Sequence, residues 1–305
     1  MSFIGIDTSN YTTSIACFDG VDGTNCSQLL PVKEGTLGLR QSDAVFAHIK
    51  SLPELSGRLF SHVRGDICAV GVSTRPRAVE GSYMPCFMVG YSHAKMLSAA
   101  YAVPLVEVSH QQGHVAAALW SAGRIDLMDE PHLAWHLSGG TTELLLVEPE
   151  GKNVKCTCIG GTSDISAGQL IDRAGQMLNL PFPSGKHLDS LTRGCEKGEF
   201  FPVKCNGLTF SFSGLENKVS QYYDATRDPA RTAYYALKSI SMAVEKVSRQ
   251  AQKDYPGLEI VFSGGVASNS MLRGVVADLK PVFAKPEYST DNAMGVAILA
   301  SRLGR

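Results

Sequence analysis

The chain reads as a two-lobed α/β protein in which each lobe holds a mixed β-sheet flanked by helices. Three observations predict this. Its 305 residues exceed the usual single-domain size and can bury a substantial core. A strand–turn–strand unit at the start returns mid-chain with its parts in the same order, and a late apolar strand runs through paired glycines towards a helix-like segment.

The first unit is Phe3-Ile4-Gly5-Ile6-Asp7, the polar turn Thr8-Ser9-Asn10, and the returning strand Thr12-Thr13-Ser14-Ile15-Ala16-Cys17-Phe18, closed by Asp19-Gly20. Apolar and β-branched runs on either side of a small polar turn make a β-hairpin. The second is Leu133-Ala134-Trp135-His136-Leu137, the turn Ser138-Gly139-Gly140, and Thr141-Thr142-Glu143-Leu144-Leu145-Leu146-Val147, so that Thr141-Thr142 fall where Thr12-Thr13 stood. Each hairpin opens a region of helix-compatible sequence, as a duplicated α/β domain would.

The late strand, Leu258 to Phe262, leads through Ser263-Gly264-Gly265-Val266-Ala267-Ser268-Asn269 towards Met271-Leu272-Arg273. Adjacent glycines after a strand let backbone amides approach a ligand, because no Cβ intervenes. A tight turn without a ligand explains any one such turn equally well, but three together predict a cleft for a nucleotide or nucleotide-like ligand between the lobes. Helices are expected over 41–64, 82–102, 110–122, 164–179 and 230–253, with loops around Pro181 to Lys186 and Arg193 to Gly207. The repeat sets the boundaries: a first lobe over 1–131, joined by a C-terminal helix within 290–305, and a second lobe over 132–289.

Composition narrows the class. With 28 Lys+Arg against 29 Asp+Glu, the net charge of −1 gives no broad footprint for nucleic acid or an anionic membrane and leaves room only for a local basic patch. Eight cysteines without a C-x-x-C pair read as reduced thiols. The opening residues lack a basic targeting stretch, and no apolar run approaches the roughly 20 residues of a membrane span, so a cytoplasmic protein is expected.

His110 and His114, in Ser109-His110-Gln111-Gln112-Gly113-His114, follow the strand-like Leu105-Val106-Glu107-Val108. A four-residue spacing on a helix puts both imidazoles on one face, where they can share a metal ion. Two polar residues at a helix start are the alternative, and the spacing favours the metal. A zincin-type protease is disfavoured, since Gln111 and Gln112 stand where a general-base glutamate would follow the first histidine. Asp291 is either a third ligand or the N-cap of the last helix, and the residues leave both open. Asp7 is a candidate for organising a cation or phosphates, or a turn-forming aspartate. Asp172, inside the helix opened by Asp164, reads by itself as a solvated charge. Phe210-Ser211-Phe212-Ser213-Gly214 lacks the nucleophile-elbow pattern, and Cys156-Thr157-Cys158 is too closely spaced for a usual zinc pair.

In their order, Gly5-Ile6-Asp7-Thr8-Ser9, His110 to His114, Leu137 to Gly140, Asp164 to Arg173, Phe210 to Leu215, Gly264 to Asn269 and Thr290 to Ala293 resemble the tRNA threonylcarbamoyladenosine-forming transferase family, also called the glycoprotease or TsaD family. The resemblance runs nearly end to end. It implies the two-lobed actin-like ATPase fold, with duplicated RNase H-like domains. It implies one divalent metal ion, iron or zinc, held by His110, His114 and Asp291. It implies that His136, Leu137, Ser138, Gly139, Gly140, Asp172, Gly185 and Asn269 contact threonylcarbamoyl-adenylate, with Asp7, Gly264 and Gly265 completing the nucleotide site, and so replaces the solvated reading of Asp172. The implied reaction moves a threonylcarbamoyl group to the exocyclic amine of the tRNA adenosine beside the anticodon, with ATP or the adenylate as ligand. The implied protein partners are a shorter paralogue of the same fold and a small P-loop ATPase, without a membrane.

Several residues depart from the family pattern and suggest a divergent paralogue. Gln112 and Gln169 stand where the family usually has glutamate, Thr141 replaces a histidine, Arg173 a lysine, and Pro183-Ser184-Gly185-Lys186 a Pro-Gly-Gly-Pro turn, while Glu216-Asn217 break a basic continuation. Transfer to another acceptor, a non-catalytic nucleotide-binding partner, and an actin-like ATPase or small-molecule kinase are the competing readings.

Overall fold

Strand β1 (Ser2–Ser9) is buried along its whole length because both its edges and both its faces are covered. The structure, a computed structural model, describes residues 1–9, 11–31, 39–195, 198–290 and 292–304. It comprises two units: Met1–Glu130 with Glu148–Cys156 and Glu287–Arg305, and Pro131–Val147 with Thr157–Pro286.

In the first unit, β1 pairs antiparallel with β2 (Thr12–Phe18), which pairs antiparallel with β3 (Gly23–Leu29). Helix α1 (Gln41–Phe60) precedes β4 (Ile67–Arg75), and α2 (Phe87–Tyr101) precedes β5 (Leu105–Ser109) and α3 (His110–Ser121). The sheet order is β3-β2-β1-β4-β5, with β1, β4 and β5 parallel. Alternate side chains of the sheet, among them Ile4, Ile6, Val70 and Val72, pack with Leu52 and Leu55 of α1, and each fully buried aliphatic side chain contributes about 1.5–3 kcal/mol.

In the second unit, β6 (His132–Leu137), β7 (Thr142–Glu150) and β8 (Asn153–Thr162) are followed by α4 (Ala167–Met177), α5 (Gly185–Leu191), β9 (Cys205–Asn206) and β10 (Thr209–Phe210). Then come α6 (Ser213–Thr226), α7 (Pro229–Asp254), β11 (Ile260–Ser263), α8 (Ser270–Val275) and β12 (Val282–Phe283). The sheet order is β12-β11-β6-β7-β8-β10-β9. Read from its third strand, β8-β7-β6-β11-β12 repeats the β3-β2-β1-β4-β5 order of the first unit, so the duplication extends from the hairpins to whole sheets.

The last helix, α9 (Met294–Leu303), belongs to the first unit and covers the face of the sheet opposite α1. It approaches α3 so closely that a Cβ on Gly295 would overlap the Gly113 carbonyl. No helix among the described residues is long and apolar enough to cross a membrane.

Local differences from the sequence reading have simple causes. The helix expected from residue 82 begins at Phe87, after Pro85. The helix expected from Asp164 begins at Ala167, with Ser166 as its N-cap. Helix α5 starts inside the segment read as a loop, at Gly185.

Candidate functional site

The first group of site residues lies where β1 and α3 meet. Asp7 lies two residues from the end of β1 with 1% of its surface exposed, and its Oδ1 accepts the backbone N–H of Ser9 at 2.9 Å. Its Oδ2 lies 2.8 Å from His110 Nδ1. A carboxylate at that distance places the imidazole proton on Nδ1, which makes Nε2 an acceptor. His114 stands one turn along α3, and the two Nε2 atoms are 2.9 Å apart with the rings in edge contact at 77°.

The first turn of α3 is fixed by a reciprocal cap. Ser109 Oγ accepts the N–H of Gln112 at 3.2 Å, and Gln112 Oε1 accepts the N–H of Ser109 at 2.8 Å. Gln112 Nε2 then donates to the Val154 carbonyl at 2.7 Å. The amide at this position therefore turns inward and braces the helix, away from the histidine pair.

The donor set suits a divalent ion. A tetrahedral ion bound at about 2.0–2.1 Å to each nitrogen would set them roughly 3.3 Å apart, a few tenths of an ångström beyond the observed separation. His110 also carries the carboxylate partner that usually orients a metal-bound imidazole. Among the described residues no group of three or more His, Cys, Asp or Glu is placed to hold a metal. Asp291, expected as the third ligand, lies outside the described residues. Its neighbours are anchored: Asn292 Nδ2 donates to the carbonyls of Thr290 at 2.7 Å and Tyr288 at 3.2 Å, and the N–H of Ala293 donates to Asn25 Oδ1 at 3.1 Å. Helix α9 has Ala293 as its N-cap, without a side-chain capping bond.

At two other groups near Asp7 burial favours the neutral form. Burial, with the Asp7 charge beside it, pushes the Cys86 thiol up to about 11. Burial also lowers the pKa of His48, against the pull of Asp7.

The second group gathers at the strand ends of the other unit. His136 and Leu137 close β6, and the turn after them is clamped: Ser138 N–H donates to the Thr141 carbonyl at 2.8 Å, and Thr141 N–H to Ser138 Oγ at 3.1 Å. Ser166 Oγ donates to the Gly139 carbonyl at 2.6 Å, and the N–H of Ala167 donates to Thr142 Oγ1 at 2.8 Å, which seats the start of α4 against the turn. Gly264, at φ +90°, passes against the backbone of Leu137, an approach only glycine allows. Gly139, Gly140 and Gly265 have no protein atom within 4 Å of where a Cβ would stand, so the Cβ side of each is clear.

Asp172 and Asn269 are tied into the scaffold around this turn. Asp172 Oδ1 accepts the Ser184 N–H at 2.8 Å, beside Gly185 at the start of α5, and burial raises its pKa against that bond. Asn269 caps α8 by accepting the Leu272 N–H at 3.1 Å, while its Nδ2 donates to Asp189 Oδ1 at 3.1 Å. Both polar ends of Asn269 are therefore engaged within the protein.

Two structural roles escaped the sequence reading. Gln169 closes a second reciprocal cap, with Ser166, so both family-atypical glutamines make the capping hydrogen bond open to a glutamate, and Gln112 adds the donor bond to Val154 that a glutamate lacks. The Ser-x-x-Gln spacing at Ser109 and Ser166 was the available signal. Asp164 is a clasp. Its carboxylate accepts from Phe212 N–H at 2.8 Å, Ser213 N–H at 3.2 Å and Ser211 Oγ. Partial burial pulls its pKa upward, but these bonds together hold it well below the usual carboxylate range.

Paired mixed sheets with the same strand order and glycine turns at their strand ends define an actin-like ATPase fold. T. kodakarensis HypF shares it at TM-score 0.61 and 12% identity, over 99% of this chain and 47% of that one. A ROK family glucokinase from Streptomyces griseus shares it at TM-score 0.55 and 11% identity, over 99% of both chains. Within that fold the chain belongs to the TsaD family, tRNA N6-adenosine threonylcarbamoyltransferase, whose sequence profile matches residues 41–298. A tRNA N6-adenosine threonylcarbamoyltransferase of Streptococcus pneumoniae (strain Taiwan19F-14) is 32% identical over 248 residues, which cover 76% of this chain and 69% of that protein.

Proposed function

We propose that this protein transfers a threonylcarbamoyl group from its adenylate to the exocyclic amine of the tRNA adenosine next to the anticodon. The observation that carries the reading is the histidine pair oriented by Asp7, in a chain of this family. In the reaction the adenosine nitrogen bonds to the carbamoyl carbon, the bond from that carbon to the phosphate oxygen breaks, AMP leaves, and the amine proton passes to solvent.

His110, His114 and Asp291 would hold one divalent ion, iron or zinc. When bound, such an ion supplies Lewis-acid polarisation of a carbonyl or phosphoryl oxygen. Asp7 keeps His110 in the Nδ1–H tautomer, so Nε2 faces the site. Ser138 clamps the turn, and Gly139 and Gly140 with Gly264 and Gly265 offer backbone N–H groups to the adenylate. Asp172, held by Ser184, offers its carboxylate to a ligand hydroxyl, and Gly185 leaves room beside it. Asn269 supports these groups by fixing α8 to Asp189. Fixing the reacting groups in place, with no protein nucleophile, is the main contribution to rate. A shorter paralogue of the same fold and a small P-loop ATPase are the expected partners, in the cytoplasm.

Reconstitution with tRNA, threonine, bicarbonate, ATP, an adenylate-forming enzyme and those partners tests the reading. Modified adenosine is expected with the wild type, with at least a hundredfold less for His110→Ala. Tight nucleotide binding without any modified tRNA would reject transfer to this acceptor.

A further inference from the structure

Ser73, in the first unit, lies beneath the hydrogen bond that joins Asp7 to His110, and the sheet register places it there. Val72 of β4 pairs with Ile6 of β1, so the next residues, Ser73 and Asp7, stand level on adjacent strands. On its other side Ser73 is in register with Val108 of β5, two residues before His110. A Cβ on Gly5 would meet the backbone of Ala297, and one on Gly71 the Val296 carbonyl, so both glycines face α9. Side chains two residues further along a strand return to the same face, and Asp7 and Ser73 therefore share it. Helix α3 packs there too, with the Cβ position of Gly113 lying 3.1 Å from Val296 Cγ2. Because β4 separates β1 from β5, the 2.8 Å bond from His110 Nδ1 to Asp7 Oδ2 passes over β4 at the level of Ser73.

Two serines flank Asp7 across the sheet, and they differ in their bonding. Ser14 of β2, in register with Asp7, donates through Oγ to the Asp7 carbonyl at 3.3 Å. Ser73 is 0% exposed, and its Oγ has no hydrogen-bond partner among the described residues. A buried hydroxyl without a partner destabilises the fold, so a native chain rarely keeps one without a use. The acceptor level with it is the Asp7 carboxylate. Oδ1 accepts from Ser9 and Oδ2 from His110, and a carboxylate has about four acceptor positions in all. An ion shared by the histidines would part their Nε2 atoms from 2.9 Å to roughly 3.3 Å, which shifts the His110 ring and the carboxylate bonded to it over β4.

We propose that Ser73 is a positioning residue for His110: its hydroxyl donates to the Asp7 carboxylate in the arrangement that holds a divalent ion, and lacks that bond in the arrangement seen here. Ser73 touches neither ion nor substrate and acts through Asp7. This role rests on the metal site of the transfer reading above.

The test is titration of the full chain with Co²⁺, followed by its visible ligand-field spectrum and by competition with Zn²⁺, beside thermal unfolding without added metal. Ser73→Ala removes the hydroxyl, Ser73→Thr keeps it, and Ser14→Ala removes the partnered one. Ser73→Ala is expected to raise the unfolding temperature, because a stranded hydroxyl is gone, and to lower Co²⁺ affinity about tenfold, because a hydrogen bond to a charged group is lost. Ser73→Thr should bind Co²⁺ as tightly as wild type, and Ser14→Ala should lower the unfolding temperature. Unchanged Co²⁺ affinity in Ser73→Ala would overturn the role of Ser73 and leave the metal site standing. Equal loss of affinity in the alanine and threonine variants would assign the effect to packing and overturn it as well. So would an unfolding temperature that falls in Ser73→Ala as it does in Ser14→Ala, since the hydroxyl would then make an ordinary structural bond. A wild type that binds neither Co²⁺ nor Zn²⁺ would reject the metal site, and the role of Ser73 with it.

Discussion

His110 is held by Asp7 through a 2.8 Å hydrogen bond between Nδ1 and a carboxylate that is almost fully buried. Because that bond fixes the tautomer, the Nε2 lone pair that faces His114 depends on a residue more than a hundred positions away in sequence. Asp7→Asn should therefore lower affinity for Zn²⁺ or Fe²⁺ by about 10–100-fold, the usual effect of removing a carboxylate behind a ligating histidine. Competition against a chromophoric chelator measures this. Unchanged affinity would show that Asp7 does not orient a metal ligand.

Gln112 contributes through packing and hydrogen bonds. It is 4% exposed, closes the cap on Ser109 and donates to Val154, so truncation strands buried polar groups at three places. Gln112→Ala should cost about 2–4 kcal/mol in urea unfolding. Gln112→Glu keeps the cap but sets a carboxylate against the Val154 carbonyl, and should also be less stable than wild type at pH 7. A glutamate variant as stable as wild type would mean that the Val154 bond contributes nothing.

The hairpins, the long helices and the histidine spacing were legible because each is local: alternation, length and a one-turn interval lie within short windows. The third strands β3 and β8 were not. Only Cys26 is buried from Gly23 to Leu29, and the strand ends a sheet, so no apolar alternation marks it and its strand state comes from pairing with β2. The bond from Asp7 to His110 was equally hidden, since no local pattern reports which distant residue a buried carboxylate will meet. Asp164 was misassigned for a related reason. Aspartate before an apolar helix is a common cap, but here Ser166 caps, and Asp164 serves a segment more than forty residues on.

The Asp164 clasp gives a pH-dependent signature. Its folded pKa is depressed, so the stability it adds is present above the unfolded value of about 3.9 and is lost as pH falls through the folded value. Asp164→Asn should remove this dependence and cost about 1 kcal/mol at pH 7, a modest figure because the group is solvent-exposed. Unfolding temperatures at pH 7 and on stepping down from pH 4 provide the check. Parallel profiles for the two proteins would exclude the clasp as a source of acid sensitivity.

Gly295 controls how closely α9 can approach the helix that carries both histidines. A Cβ there would overlap the backbone of Gly113, and backbone cannot move aside as a flexible side chain would. Gly295→Ala should destabilise by about 1–3 kcal/mol and weaken metal binding, because α3 must shift to relieve the overlap. Gly274 has no protein atom within 4 Å of its Cβ position, so Gly274→Ala is a control expected to leave metal affinity unchanged. Equal behaviour of the two variants would mean that the α3–α9 approach does not set the histidine geometry.

Asp172 should show stability and ligand binding pulling in opposite directions. Burial raises its folded pKa, although the Ser184 N–H lowers it in part. By linkage, the contribution of this group to stability is fully present below the unfolded pKa of about 3.9 and is lost as pH rises through the folded one. At pH 7 the ionised carboxylate is therefore a net cost to the fold. Asp172→Asn removes the charge and retains an oxygen to accept from Ser184, so its unfolding temperature should rise at pH 7. If the carboxylate receives a ligand hydroxyl, the same substitution should weaken nucleotide binding by about tenfold, since a hydrogen bond to a charged group is lost. Calorimetric titration beside thermal unfolding separates the two effects: a more stable variant with unchanged nucleotide affinity would leave Asp172 as a scaffold residue for Ser184 and Gly185.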